Sequence, residues 1–224
     1  MSLDVKFNNL KKYLKTLKNP AVAYSGGVDS TFLLKVLKIA NKDKIVALTA
    51  NSPLFTQREL IQTKNFCLQE GIEQKIIEID IEKIKKNPKN RCYICKKNIF
   101  EQLKKNYQGI ILEGSNFDDL KQYRPGKKAL LELGIKSPLE DFQLTKKEIR
   151  ILSQELGLKT AGQGSFSCLA TRFCYGDTIN KKKLKKVELG EEILHKLNFS
   201  QFRLRIHKNL VRIEVLGEDY KKII

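Results

Sequence analysis

The sequence predicts an α/β protein, a doubly wound parallel sheet with a small C-terminal α+β domain. Three observations predict it. Short apolar strands alternate with amphipathic helices over most of the chain, as in βαβ units joined by right-handed crossovers. Lys44 to Ala50 (KIVALTA) is apolar almost throughout, the composition of a strand covered on both faces. The first strand, Pro20 to Tyr24, runs through Ser25, Gly26 and Gly27 directly into an amphipathic helix, Val28 to Ala40.

The elements follow in order. Leu3, Phe7, Leu10, Leu14 and Leu17 recur at helical spacing, and Asn19-Pro20 ends that helix. After the second strand (KIVALTA), Asn51-Ser52-Pro53 turns the chain and Thr56 caps a helix to about Glu70, with Leu60, Ile61 and Phe66 expected to face inward. Gln74 to Asp80 reads as the third strand, and Ile110 to Leu112 opens the fourth. Thr145 to Leu156 is a helix with Thr145 as N-cap and Glu148 at the capping-box position. Residues 160–177 carry no period. Phe166, Leu169, Phe173 and Tyr175 are too apolar for free solvent, so this stretch reads as an ordered site loop at the domain junction. A basic helix, Asn180 to Leu197, precedes a hairpin of Phe202 to Ile206 and Leu210 to Val215 around Lys208-Asn209. The expected domains are 1–165 and 166–224.

With 43 Lys and Arg against 25 Asp and Glu, the formal net charge is +18. Such a balance favours phosphorylated or polyanionic partners, although lysines scattered over helix faces equally describe a solvated basic surface. Absence of Trp leaves no obvious stacking platform for single-stranded nucleic acid. No apolar run reaches the roughly 18 residues that span a bilayer, and MSLDVKF has no apolar signal core, so a cytoplasmic protein without membrane partners is expected. In that reducing compartment five cysteines point to metal or catalytic chemistry before disulfides.

A strand that passes through two glycines into a helix presents backbone N–H groups and the positive helix end to an anion. Gly26 and Gly27 let the backbone approach it closely. The Walker pattern is absent, since Asp29 and not Lys precedes Ser30-Thr31. Ser25-Gly26-Gly27-Val28-Asp29-Ser30 instead resembles the PP-loop, SGGxDS, of the ATP pyrophosphatases (adenine nucleotide alpha hydrolase-like), which cleave ATP between its α- and β-phosphates and adenylate a substrate. The resemblance implies ATP on Ser25, Gly26, Gly27, Val28, Asp29 and Ser30, with Mg2+ near Asp29. Asp118, beside Asp119, is a second candidate for the metal, and a solvated acidic turn is the competing reading.

Cys92 and Cys95 form a single CxxC, which alone could be half a zinc site, a redox pair or two incidental residues. No second CxxC exists, and His195 and His207 both lie in the tail. Cys168 is the plausible third ligand, and three thiolates are one short of the usual four-cysteine iron–sulfur set. The blocks SGGVDSTFLLKV, NSPLF, NPKNRCYICKK, EGSNFDD, YRPGKKALLELGIKSPL, TKKEIR, CLATRFCYG and FRLRIHKNLVRIEV resemble, in order and over nearly the whole chain, the LarE family of ATP-dependent sulfur insertases. Those enzymes build the nickel-pincer nucleotide cofactor of lactate racemase.

The resemblance implies adenylation of the carboxylates of pyridinium-3,5-biscarboxylic acid mononucleotide and displacement of AMP by sulfur. Some family members sacrifice the cysteine aligned with Cys168; others carry sulfide on a [4Fe-4S] cluster held by three cysteines. The CxxC favours the cluster type, with Cys92, Cys95 and Cys168 as ligands and the open iron as sulfide carrier. Cys67 and Cys174 are expected to be structural thiols. Arg172, close to Cys168 in sequence, suits the AMP phosphate. Arg203, Arg205 and Arg212 suit the substrate's own phosphate, since alternate residues of one strand share a face and a paired strand can add a third guanidinium. The competing reading of these arginines is an exposed basic hairpin face. A homo-oligomer is implied as well. Two other classes stay open: a [4Fe-4S]-dependent tRNA thiolase, which lacks support from any recognisable RNA-binding module, and a non-catalytic zinc scaffold, against which the intact PP-loop argues.

Overall fold

The structure, a computed structural model, describes residues 1–41, 44–164, 167–199 and 201–222. The chain forms two compact units. The first comprises residues 1–51, 57–79 and 92–165, and the second 52–56, 80–91 and 166–224. Phe166, counted above among the apolar residues of the junction, lies outside the described residues.

The first unit contains, in chain order, α1 (Leu3–Thr16), β1 (Pro20–Ala23), α2 (Val28–Ala40), β2 (Val46–Asn51), α3 (Gln57–Glu70), β3 (Glu73–Glu78), α4 (Arg91–Asn106, all but its first residue), β4 (Ile110–Leu112), α5 (Gly126–Glu132), α6 (Pro138–Asp141) and α7 (Lys146–Glu155). The sheet is four-stranded with order β3-β2-β1-β4, and every pairing is parallel. Successive residues of a strand point to opposite faces, and two cores result. Val22, Ala47 and Leu112 join Leu10, Phe32, Leu33 and Ile149 on one face. Ala21, Val46, Leu48 and Ile111 join Phe100, Leu103 and Leu130 on the other. The sheet is thus doubly wound, as the sequence predicts.

α2 is buried along nearly its whole circumference, with Phe32, Leu33, Leu34, Val36 and Leu37 all at 0 % exposure. A helix covered over most of its circumference needs apolar residues outside a single stripe, which is why its sequence reads VDSTFLLKVLKIA, with Lys38 and Ile39 on its exposed side. Each such side chain contributes about 1.5–3 kcal/mol of burial free energy, so the helix that follows the glycine turn is firmly anchored.

α3 corrects one expectation. Ile61 is 55 % exposed, and the helix buries Thr63 and Cys67 instead. A Cβ on Gly26 would lie 3.0 Å from Thr63 Cγ2, so this face of α3 meets the glycine turn and must be narrow there. The inward hydroxyl is satisfied, donating to Leu60 O at 2.7 Å and accepting from Gln74 Nε2 at 3.0 Å. A second correction concerns Cys92 and Cys95. The stretch around them carries no element in the sequence reading, yet both sit in the first turn and a half of α4.

The second unit holds α8 (Lys181–Lys196) and the antiparallel hairpin β5 (Phe202–His207) and β6 (Leu210–Val215). Earlier segments are drawn into it: Leu169 N donates to Leu54 O at 3.0 Å, and Ile179 N to Lys85 O at 2.9 Å. The junction loop contains a short 3-10 turn, Leu169–Arg172, and Phe173 bridges Ile206 in parallel. Among the described residues no helix is long and apolar enough to cross a membrane.

Candidate active site

The sheet order places a topological switch between β1 and β4. From β1 the chain works outward through β2 and β3, then returns to the opposite side of β1. Ligands of open α/β sheets bind at the carboxyl ends of strands beside such a switch. Two loops flank it here, Ser25–Gly27 after β1 and Glu113–Asn116 after β4.

Gly26 takes φ +79°, a left-handed conformation that glycine adopts without penalty, and Gly27 is the N-cap of α2 with no side-chain cap bond. The first amides of α2 therefore have neither an intrahelical carbonyl nor a capping side chain. The loop holds its own shape: Ser30 Oγ donates to Gly27 O at 3.1 Å, accepts from Ser25 N at 3.4 Å and lies 3.1 Å from Ser25 Oγ. Gly114 closes against it from β4. A Cβ there would come within 2.9 Å of Ser30 N, so the second loop can approach the helix start only as glycine.

Behind the loop, Lys146 Nζ binds both oxygens of Asp29, at 2.8 and 2.7 Å, and Asn116 Nδ2 donates to Asp29 Oδ2 at 3.4 Å. The same lysine's backbone N–H donates to Asp118 Oδ2 at 2.8 Å. Both carboxylates expected to hold Mg2+ thus converge on one residue at the start of α7. Burial pushes the Asp29 carboxyl above its ordinary range, and the Lys146 charge only partly opposes this. Asp119 is committed elsewhere, closing a capping box with Asn116 and pairing with Arg124 at 2.7 Å. Glu113, also buried, accepts from Ser137 Oγ at 2.6 Å and from Ser115 N at 3.0 Å.

Cys92 and Cys95 stand one helical turn apart near the start of α4, exposed and half-buried respectively, so two thiols share one helix face. Cys168 is half-buried in the second unit. Among the described residues no three His, Cys, Asp or Glu side chains are gathered as a metal site. The donor chemistry of the α4 pair suits a thiophilic metal.

In the second unit, Arg172 is buried and paired in fork geometry with Glu191 of α8, Nε to Oε1 at 2.7 Å and Nη2 to Oε2 at 3.1 Å. Its Nη1 also donates to Ser167 and Thr171, so it braces the turn that carries Cys168. Glu191 already neutralises the charge expected to meet an AMP phosphate. Arg203, Arg205 and Arg212 do share a face, since Arg205 lies directly opposite Arg212 and Arg203 is two residues away on β5. Glu214 opposes Arg203 and bonds both Arg205, at 2.8 Å, and Arg212, at 2.7 Å. A cavity of about 400 Å³ opens beside this face; Arg172, Arg203 and Arg205 line it and Arg212 does not.

No protein-family model matches the chain. An uncharacterised protein of Synechocystis sp. is 36 % identical over 232 residues, covering 99 % of this chain and 85 % of the relative. The pyridinium-3,5-bisthiocarboxylic acid mononucleotide synthase of Lactiplantibacillus plantarum is 33 % identical over 222 residues, covering 96 % of this chain and 80 % of the relative. The chain belongs to the pyridinium-3,5-bisthiocarboxylic acid mononucleotide synthase family. More distantly, the tRNA(Ile)-lysidine synthase of Mesomycoplasma hyopneumoniae is 32 % identical over 119 residues, 52 % of this chain and 37 % of that protein, in keeping with the PP-loop fold.

In this member of the synthase family the glycine turn and Asp29 stand where the motif places them. Lys146, Asn116 and Glu113 complete the surroundings; they lie in the blocks TKKEIR and EGSNFDD, but the sequence reading gives none of them a site role. The signal available was positional: Glu113 to Asn116 directly follow a strand end, and Lys146 directly follows a helix cap. Cys174 departs from expectation, being exposed and 3.3 Å from His207 Nδ1.

Proposed function

We propose that the protein is an ATP-dependent sulfur transferase acting on pyridinium-3,5-biscarboxylic acid mononucleotide, consistent with its membership of the synthase family. The observation that carries the adenylation step is the uncapped start of α2 at the β1/β4 switch, framed by Gly26, Gly27 and Gly114. In this reading the amides of Val28 to Ser30 receive the ATP phosphates, and Asp29 or Asp118 would hold Mg2+. A substrate carboxylate attacks the α-phosphorus in line and pyrophosphate leaves. Developing charge lies on phosphate oxygens, so the chain contributes mainly fixed dipoles and position. Lys146 keeps Asp29 oriented before the nucleotide arrives.

Sulfur then displaces AMP from the acyl-adenylate. A [4Fe-4S] cluster on Cys92, Cys95 and Cys168 would supply that sulfur as a replaceable sulfide. Arg203 and Arg205 suit the nucleotide substrate's phosphate, while Arg172, bound by Glu191, is assigned to holding the Cys168 turn. The test is product analysis with ATP, sulfide and the biscarboxylate mononucleotide under anaerobic conditions. AMP and pyrophosphate should appear only with the mononucleotide present and be lost in Asp29→Ala. Release of ADP, or turnover indifferent to the mononucleotide, refutes the assignment. Iron and sulfide analysis of the wild type and the Cys92, Cys95 and Cys168 alanine variants decides the cluster. The similarity to tRNA(Ile)-lysidine synthase favours a second reading, an adenylating enzyme of tRNA; tRNA-dependent AMP release would carry it.

A further inference from the structure

Cys174 and His207 belong to no step described above. Both line the cavity of about 400 Å³ in the second unit, together with Arg91, Arg172, Arg203 and Arg205. The thiol is exposed, its sulfur 3.3 Å from His207 Nδ1, while the imidazole's Nε2 is buried with no hydrogen-bond partner among the described residues. The ring is therefore directed at the sulfur and at no other side chain described. The backbone holds this pair in place. The Phe173–Ile206 bridge sets residue 174 beside residue 207, Asn87 Nδ2 donates to Cys174 O at 2.7 Å, and Cys174 N donates to Asp177 Oδ2 at 3.1 Å.

The charges around it are unbalanced. Glu191 neutralises Arg172 and Glu214 neutralises Arg205. Arg91 bonds only uncharged oxygens, of Asn87 and Ala170, and lies over the Tyr175 ring, and Arg203 has no carboxylate bonded to it among the described residues. Two guanidiniums without a bonded carboxylate among the described residues, beside a nucleophilic sulfur, match a small dianion.

We propose that Cys174, with His207 as its base, accepts sulfane sulfur from an anionic thiosulfonate-type donor, of which thiosulfate is the simplest. The Cys174 proton passes to His207 Nδ1, and the thiolate attacks the outer sulfur of thiosulfate. A new S–S bond forms as the donor's S–S bond breaks, and sulfite departs with that bond's electron pair. Cys174 is left as a persulfide, and neither an oxidant nor a reductant is consumed. Arg91 and Arg203 hold the sulfonate oxygens in the donor and stabilise the leaving sulfite. The site lies wholly within the second unit and shares Arg203 with the phosphate contact proposed above; because loading needs neither ATP nor the mononucleotide, an assay without both tests it apart from the adenylation reading.

The experiment treats the reduced, desalted full-length protein with thiosulfate, without ATP, and follows released sulfite together with peptide mass mapping. One sulfur atom should be added on the peptide containing Cys174, with an equivalent of sulfite. His207→Ala should slow loading about a hundredfold, the usual scale of a positioned base. Arg203→Gln should raise the half-saturating thiosulfate concentration about tenfold, as expected for one charge-assisted contact. Sulfur on another cysteine, no sulfur on the wild-type protein, or loading at an unchanged rate in His207→Ala overturns the proposal. An unchanged half-saturation in Arg203→Gln overturns its anionic donor.

Discussion

Gly114→Ala tests the argument that the β4 loop and the start of α2 are fitted against one another. The added Cβ would sit 2.9 Å from Ser30 N and 3.2 Å from both Asp29 C and Ser30 Cα, whereas ordinary contact begins at 3.4 Å. All three atoms are backbone, in the first turn of a helix anchored by the fully buried Phe32, Leu33, Leu34, Val36 and Leu37, so none can swing aside as a side chain would. Gly114 does not adopt a left-handed φ, so the cost comes from contact alone. Overpacking of this kind costs about 1–3 kcal/mol, which for a chain of 224 residues lowers Tm by about 2–4 °C per kcal/mol. Relief by moving the loop displaces the amides that receive phosphate, and a shift of about 1 Å can cost on the order of a hundredfold in rate. Calorimetry and substrate-dependent pyrophosphate release should both register the change. Gly162→Ala is the control, because a Cβ at that position meets nothing within 4 Å. Should Gly114→Ala melt and turn over ATP like the control, the close approach is not a constraint and the site geometry derived from it fails.

Three further outcomes follow from buried groups. Burial raises the Asp29 carboxyl, so its contribution to stability is lost as pH rises through the folded-state value, and at neutral pH the ionised form is a cost. The stability of Asp29→Asn relative to wild type should therefore rise as pH increases through the folded-state value, while adenylation is abolished; a pH-independent difference contradicts this. Removing one partner of the buried Arg172–Glu191 pair, in Glu191→Gln or Arg172→Met, should cost about 3–5 kcal/mol, and the double variant distinctly less than the sum. Simple additivity in urea denaturation would show that the pair is not coupled. Burial pushes the Cys67 thiol up to about 12, so native Cys67 should resist alkylation at pH 8 until the protein unfolds. Only the unfolded chain ionises it between its ordinary range and pH about 12; the stability difference between wild type and Cys67→Ala should shrink across that window, and a constant difference counts against the assignment.

Much of the fold can be read locally. The helical period of α1, the mostly apolar run of β2 and the capping box of Thr145 and Glu148, both halves of which form, depend on residues within a turn or two of each other. The same holds for Ser25 to Ser30, because a glycine turn between strand and helix makes its anion site from its own amides. The common face of Arg203, Arg205 and Arg212 follows from strand alternation and hairpin pairing. Packing settled what periodicity left open. Apolar content alone did not mark Thr63 rather than Ile61 as the inward side of α3; the narrow room over Gly26 did. Lys146 reaches Asp29 across 117 positions, Glu191 reaches Arg172 across 19, and His207 reaches Cys174 across 33. Such pairs leave no periodic trace, because charge and hydrogen bonding select partners by distance in space, and that distance is set only when sheet, helices and loops have closed on their cores.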